Sequence, residues 1–316
     1  MAVSTKFTDA AAYQAYVEDF YDSLLSRAFH GNPTSLLAMP HEGVKGKLVL
    51  TQLILGQMAQ RWSKDFTPIA DTVDFKPRTL DVYKAKVDLS FCPQDFESTY
   101  LGSQRRPGQN PGSDLPFEGY ILEAVMRKHA EELEMAQWGA VYDSTPDASD
   151  PLIELFNGYK KIIADEITAT NLTPVAVSGG AWTLANVIPT LETMWDGLHD
   201  ALKVSEVNVY CSYAIYKLYN QAYRADYGKY TDNVQGGRTK LDFANAYLTP
   251  VPGLTGSNRV IMTPAWNLHY GYDLASDKDS FQFEQNKRVM DFWLDYTIGV
   301  QIGIVRNDHI RVNDLA

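Results

Sequence analysis

The chain has 316 residues, 45 % hydrophobic and 21 % charged, with 39 acidic against 28 basic side chains and a formal net charge of −11. That balance excludes a general nucleic-acid binder, whose affinity rests on neutralising phosphates. Two cysteines far apart, Cys92 and Cys211, make neither a disulfide framework nor a metal-ligand spacing, which favours a reducing compartment.

The N-terminus lacks the basic start and apolar block of a secretion signal. Residues 8–29 predict an amphipathic helix, with Thr8 at its N-cap and Tyr13, Val17, Phe20, Tyr21 and Leu24 on one stripe. HGNPTSLLAMPHEGVKG, from His30, then breaks regularity with Pro and Gly. LTQLILGQMAQRW (50–62) fits a helix or a pair of strands. The longest apolar stretch, LVLTQLILG from Leu48, is too short to cross a bilayer. In TLDVYKAKVDLSFCP, Tyr83, Ala85, Val87, Leu89 and Phe91 share one face and Lys84, Lys86, Asp88 and Ser90 the other. That period of two predicts a half-buried strand, either in a sheet or as one arm of an extended hairpin. FESTYLGSQRRPGQNPGSDLP follows as a long exposed loop, with Arg105 and Arg106 at its middle.

PFEGYILEAVMRKHAEELEMAQWGA predicts the strongest helix, opened by Pro116. Phe117, Tyr120, Ile121, Ala124, Val125 and Met135 are expected on its buried stripe, and Arg127, Lys128, Glu131, Glu132 and Glu134 in water. A helix over 151–168 is expected to bury Leu152, Leu155, Phe156, Tyr159, Ile162, Ile163 and Ile167. Another over 183–203 carries Val187, Leu191, Met194, Trp195, Leu198 and Leu202. EVNVYC predicts a short strand, Ser212 a cap for the helix bearing Ile215, Leu218, Tyr219 and Ala222, and RVIMT (259–263) a further strand. DFWLDYTIGVQIGIVRNDHIRVN, from Asp291, reads as three strands. Helix and strand mix without the regular alternation of a doubly wound fold, which gives an α+β class.

A search for chemistry finds no P-loop, no GxGxxG, no HExxH and no nucleophile elbow around Ser178. His129 with Glu132, and Asp196 with His199, share helical faces but lack a third metal ligand. DLASDKDSFQFE resembles a calcium loop only loosely, because Phe281 and Phe283 fall at ligand and turn positions. Neither a metal nor a cofactor is expected. The enzyme alternative is a site converging from His129, His199, Asp196 and Ser178.

KVDLSFCPQDFESTYLG followed by LPFEGYILEAVMRKHAEELE, with NRVIMTPAWNLHYGYDLASD and YTIGVQIGIVRNDHIRVN, resembles the major capsid proteins of tailed bacteriophages with the Hong Kong 97 fold. These segments are similar to capsid proteins of phages that infect Bacteroidetes, including the crAss-like group. The resemblance covers about residues 65 to the end. It implies an N-terminal arm and first helix (1–65), an extended hairpin loop (66–115) and a peripheral domain with a long spine helix (116–170). An axial α/β domain (171–280) and returning peripheral strands (281–316) follow. It further implies a non-catalytic shell subunit forming hexamers and pentamers around double-stranded DNA. Portal, scaffolding and decoration or head-fibre proteins would be partners, with assembly in the host cytoplasm and no membrane. Lys84, Lys86, Tyr100, Arg105 and Arg106 are the candidate subunit contacts. An encapsulin-like compartment, a shell around protein cargo, is the alternative within the same fold.

Overall fold

The computed structural model describes residues 32–55, 59–67, 69, 73–92, 117–145, 151–228, 234–235, 238–242, 244–273, 281–286 and 289–315. The helix expected over 8–29, Tyr100, Arg105, Arg106 and the loop that carries them lie outside the described residues.

In chain order the elements are helix α1 (Pro33–Leu37), strands β1 (Met39–Glu42), β2 (Lys47–Leu55), β3 (Val73–Asp81) and β4 (Tyr83–Phe91), and the long helix α2 (Phe117–Gly139). Next come α3 (Tyr159–Thr168), α4 (Val187–Asp196), α5 (Asp200–Lys203), β5 (Val207–Cys211) and α6 (Tyr213–Tyr227). The chain continues through β6 (Val234–Gln235), β7 (Arg238–Lys240), β8 (Ala246–Pro250) and β9 (Ile261–Thr263). It ends with β10 (Leu268–Asp273), β11 (Phe281–Asn286), β12 (Val289–Ile302) and β13 (Arg311–Val312).

Two cores organise these elements. The first lies between α2 and a sheet of order β1-β10-β12-β11, with β4 also paired to β12. The sequence stretch expected to make three strands makes one 14-residue strand, β12, and the short β13. Met290, Phe292, Leu294, Tyr296, Ile298, Val300 and Ile302 are all buried, so the alternation runs unbroken past Gly299 and no turn interrupts it. The second core packs α4 and α6 on a sheet of order β13-β9-β5-β8-β7-β6. Its central strand β5 is buried on both faces, where the sequence pattern implied one. β10 pairs with β12 and so belongs to the first sheet, although it falls within the span 171–280 expected for the axial domain.

The stripe of α2 differs from the expected one. Leu122, Met126, His129, Ala130, Leu133, Ala136 and Trp138 are buried, Ala124 and Met135 are exposed, and Val125 is half-buried. Glu134, expected in water, is buried. The side chains of Phe117, Tyr120 and Ile121 lie outside the described residues. The helix offers apolar residues on more than one face, and the partner sheet selects among them. The helices expected over 151–168 and 183–203 are each broken. Gly158 interrupts the first; a Cβ there would sit 2.9 Å from the backbone of Ala136 and Trp138. Near Gly197 the second breaks, and His199 restarts it as the N-cap of α5, its ring nitrogen accepting from the Ala201 amide. Ser212 occupies the N-cap position of α6 without a side-chain capping bond. The irregular segment from His30 contains α1, capped by Asn32, whose Oδ1 accepts from the Ser35 amide at 2.7 Å, and the edge strand β1.

Candidate assembly surface

Strands β2 and β3 pair over nine residues each, in register from Lys47↔Asp81 to Leu55↔Val73, and form a two-stranded sheet of their own. Of this pair only β3 falls within the span 66–115 expected for the extended hairpin. The strand read as a possible hairpin arm, β4, instead pairs with β12 over nine positions from Tyr83↔Ile298 to Phe91↔Met290. Period two cannot separate these roles, because both produce one apolar and one polar face.

The root of the ribbon is seated on the first sheet at two glycines, Gly271 and Gly299, which face each other across β10 and β12. A Cβ at Gly271 would lie 2.9 Å from Leu80, and one at Gly299 would collide with the Asp81 carbonyl. Removing both side chains lets the ribbon backbone rest directly on the sheet. Leu80 is fully buried there. Arg78 donates to Glu166 of α3 at 2.7 Å and to Gln301 at 3.1 Å, and Gln301 in turn donates to the Thr79 carbonyl at 2.7 Å. The Arg78–Glu166 pair is largely shielded from solvent, so it fixes orientation better than a surface pair would.

Away from the root the ribbon changes character. Phe75, farther along β3, is 62 % exposed. Between the two strands Trp62 is 88 % and Phe66 93 % exposed. Large aromatic side chains presented to solvent on a projecting element are the usual anchors of protein interfaces.

A second fixed point lies where α1 meets α2. The Glu134 carboxylate accepts from the Thr34 hydroxyl at 2.7 Å and the Thr34 amide at 3.2 Å. Trp138 donates to the same hydroxyl at 2.6 Å, and Gln137 donates to Ser35 at 3.1 Å. Burial pushes the Glu134 carboxyl above its ordinary range, and the bonds from Thr34 pull it back. Sequence reasoning missed this contact, because Thr34 is 100 residues from Glu134 and nothing local marks either as a partner.

Of the expected subunit contacts, Lys84 and Lys86 lie on the outward face of β4, in register with Thr297 and Asp295. Lys86 also pairs with Asp88 at 2.6 Å, with both side chains more than half exposed. Of the residues of the enzyme alternative, His129 is shut off from the surface. His129 is buried edge-on against Tyr296 in the first core, its pKa lowered to about 4 by burial. Asp196, His199 and Ser178 are exposed, on segments flanking the second core. Among the described residues no three His, Cys, Asp or Glu side chains group as a metal site, and no described helix is long and apolar enough to cross a membrane.

No protein-family model matches the chain, and no curated protein does. Solved structures do. A chain of the satellite phage P4 procapsid with its size-determination (Sid) protein aligns with a TM-score of 0.56 at 13 % identity, over 93 % of this chain and 98 % of that one. A structure of Gordonia phage Cozz aligns at 0.55 and 12 %, over 90 % and 86 %. A virus-like particle from Pyrococcus furiosus aligns at 0.50 and 11 %, over 95 % and 99 %. The fold is therefore that of subunits from closed viral and virus-like shells. Within that class the chain has the Hong Kong 97-type capsid fold.

Proposed function

We propose that this protein is the major capsid protein of a tailed bacteriophage and assembles with copies of itself into the shell that encloses double-stranded DNA. The observation that carries the reading is the match with the P4 procapsid chain, which extends over 93 % of this chain and 98 % of that one. The ribbon supports it, because a rigid root with an exposed aromatic end suits contacts between copies. Several such contacts per subunit, each of ordinary size, give large avidity in a closed assembly. Hexamers and pentamers are the assembly units. Portal, scaffolding and decoration proteins are the partners, and Lys84, Lys86, Tyr100, Arg105 and Arg106 are subunit contacts. The closer likeness to crAss-like phages of Bacteroidetes belongs to the same proposal, as do assembly in the bacterial cytoplasm and residence in the virion. The net charge of −11 suits a shell that contains DNA without adhering to it.

The test is size-exclusion chromatography with light scattering, followed by negative-stain electron microscopy of the purified protein. Pentamers, hexamers or shells support the proposal; a stable 35.5 kDa monomer overturns it. The virus-like particle from Pyrococcus furiosus shares the fold, so a shell with other contents, a compartment enclosing protein, is the second reading. Particles purified from the native source separate the two: nuclease-protected DNA supports the phage shell, and protein cargo without DNA supports the compartment.

A further inference from the structure

β1 is an edge strand, held on one side by parallel pairing with β10 from Met39↔His269 to Glu42↔Tyr272. It lies between the Thr34–Glu134 contact and the first strand of the ribbon, so its attachment links the two fixed points already described. Across the β1–β10 junction, Nε2 of His41 and Nδ1 of His269 are 2.8 Å apart, with ring centroids separated by 5.0 Å. That distance is a hydrogen bond in which one ring donates and the other accepts. It requires at least one neutral ring. The His269 ring is enclosed on its other side; a Cβ at Gly303 would collide with its Nε2, and Asn267 lies beside it. Its backbone carbonyl accepts from the Tyr159 hydroxyl at 3.0 Å, so strand β10 stays in place whatever the rings do.

We propose that the His41–His269 contact is an acid-labile clasp: proton uptake by the pair frees β1 from β10 while α1 stays fastened to α2. Two protonated rings keep no acceptor between them and place like charges in contact. No other described bond is of this kind along β1; past its end the Val44 amide donates weakly to the Tyr272 carbonyl at 3.4 Å, and Thr297 donates to the Val44 carbonyl at 3.3 Å. Opening the clasp would give slack to the chain entering the ribbon at Lys47, with the ribbon still held through β3.

The charges on the surrounding elements are Glu42 on β1, Asp273 at the end of β10, the Lys47–Asp81 pair at 3.2 Å and the Arg78–Glu166 pair. Gln301, in register with His269, is already committed to Arg78 and Thr79. Burial holds the His269 ring down to about 4, with His41 adding repulsion, and burial lowers His41 as well. Both rings thus resist protonation while attached, so the clasp is fully closed above the ordinary histidine range near 6.5 and weakens as pH falls towards 4. Glu134 has the opposite sign. Its carboxyl is raised, so protonation relieves the cost of its buried charge and acid does not loosen that end.

The experiment is amide hydrogen exchange by mass spectrometry on the purified full-length protein, with rates corrected for the intrinsic effect of pH. Protection of a peptide covering residues 39–46 should fall roughly tenfold or more between pH 7.5 and 4.5, while peptides over 33–37 and 292–298 keep theirs. In His41→Gln and in His269→Gln the ratio between the two pH values should be flat. An unchanged ratio in the unsubstituted protein overturns the clasp. So does a fall that persists in both variants, or one shared equally by 292–298, which lies opposite His129 and would mark general acid unfolding.

Discussion

The two ends of the β2–β3 ribbon share the same strands and ladder but differ in what surrounds them. At the root, Leu80 is fully buried, Arg78 is bonded to Glu166 and Gln301, and two opposed glycines admit the backbone. Towards the other end, Phe75 is exposed, and between the strands Trp62 and Phe66 are almost fully so. Apolar burial inside the molecule therefore accounts for where the ribbon starts, and leaves its aromatic groups to another surface. A two-stranded ribbon is marginal by itself in water, so the root supplies the rigidity with which the far end is presented.

Substitutions at the two ends should separate folding from assembly. The largest effect is expected from Leu80→Asp, which places an unpaired carboxylate in a dry site at a cost of several kcal/mol; soluble expression and the thermal transition measure it, and a normally folded variant would break the assignment of the root. Gly271→Val overpacks Leu80 from beneath and should lower stability by about 1–3 kcal/mol, read from the denaturant midpoint. Glu134→Ala strips Thr34 of its acceptor and should cost a similar amount, about 1–3 kcal/mol, with proteolysis near α1 rising in parallel. Trp62→Ser combined with Phe66→Ser should change subunit stability by no more than about 0.5 kcal/mol yet cut the yield of assembled particles severely. Unchanged assembly would remove the far end from the interface. The smallest effect belongs to Lys86→Ala, where an exposed ion pair contributes at most about 1 kcal/mol; an assembly defect without a stability change would mark Lys86 as a subunit contact.

Much of the fold was legible along the chain. The alternation in β4, the long span of α2 and the stripes of α4 and α6 are local patterns that survive any choice of neighbour. The resemblance to phage capsid proteins rested on the stretches around β4, α2, β9–β10 and β12–β13, and the shared fold agrees with it. What failed to read were choices between equivalent local patterns. VYKAKVDLSF serves a sheet or a hairpin arm equally well, and only pairing with β12 places it. LTQLILG fits a helix or a strand, and the ladder with β3 decides it. Glu134 reads as solvated because Glu131 and Glu132 beside it are exposed. His41 and His269 are 228 residues apart and carry no mutual signal.

By itself the sequence determined the periodicities, the breaks at Gly and Pro, the acidic balance and the class of fold, since each depends on residues within a few positions of one another. Tertiary structure alone decided which face of α2 is buried, which strand becomes the ribbon, and which polar groups are taken out of water. Those outcomes depend on partners from about twenty to more than two hundred residues away. Burial changes the cost of a charge far more than its neighbours in sequence do.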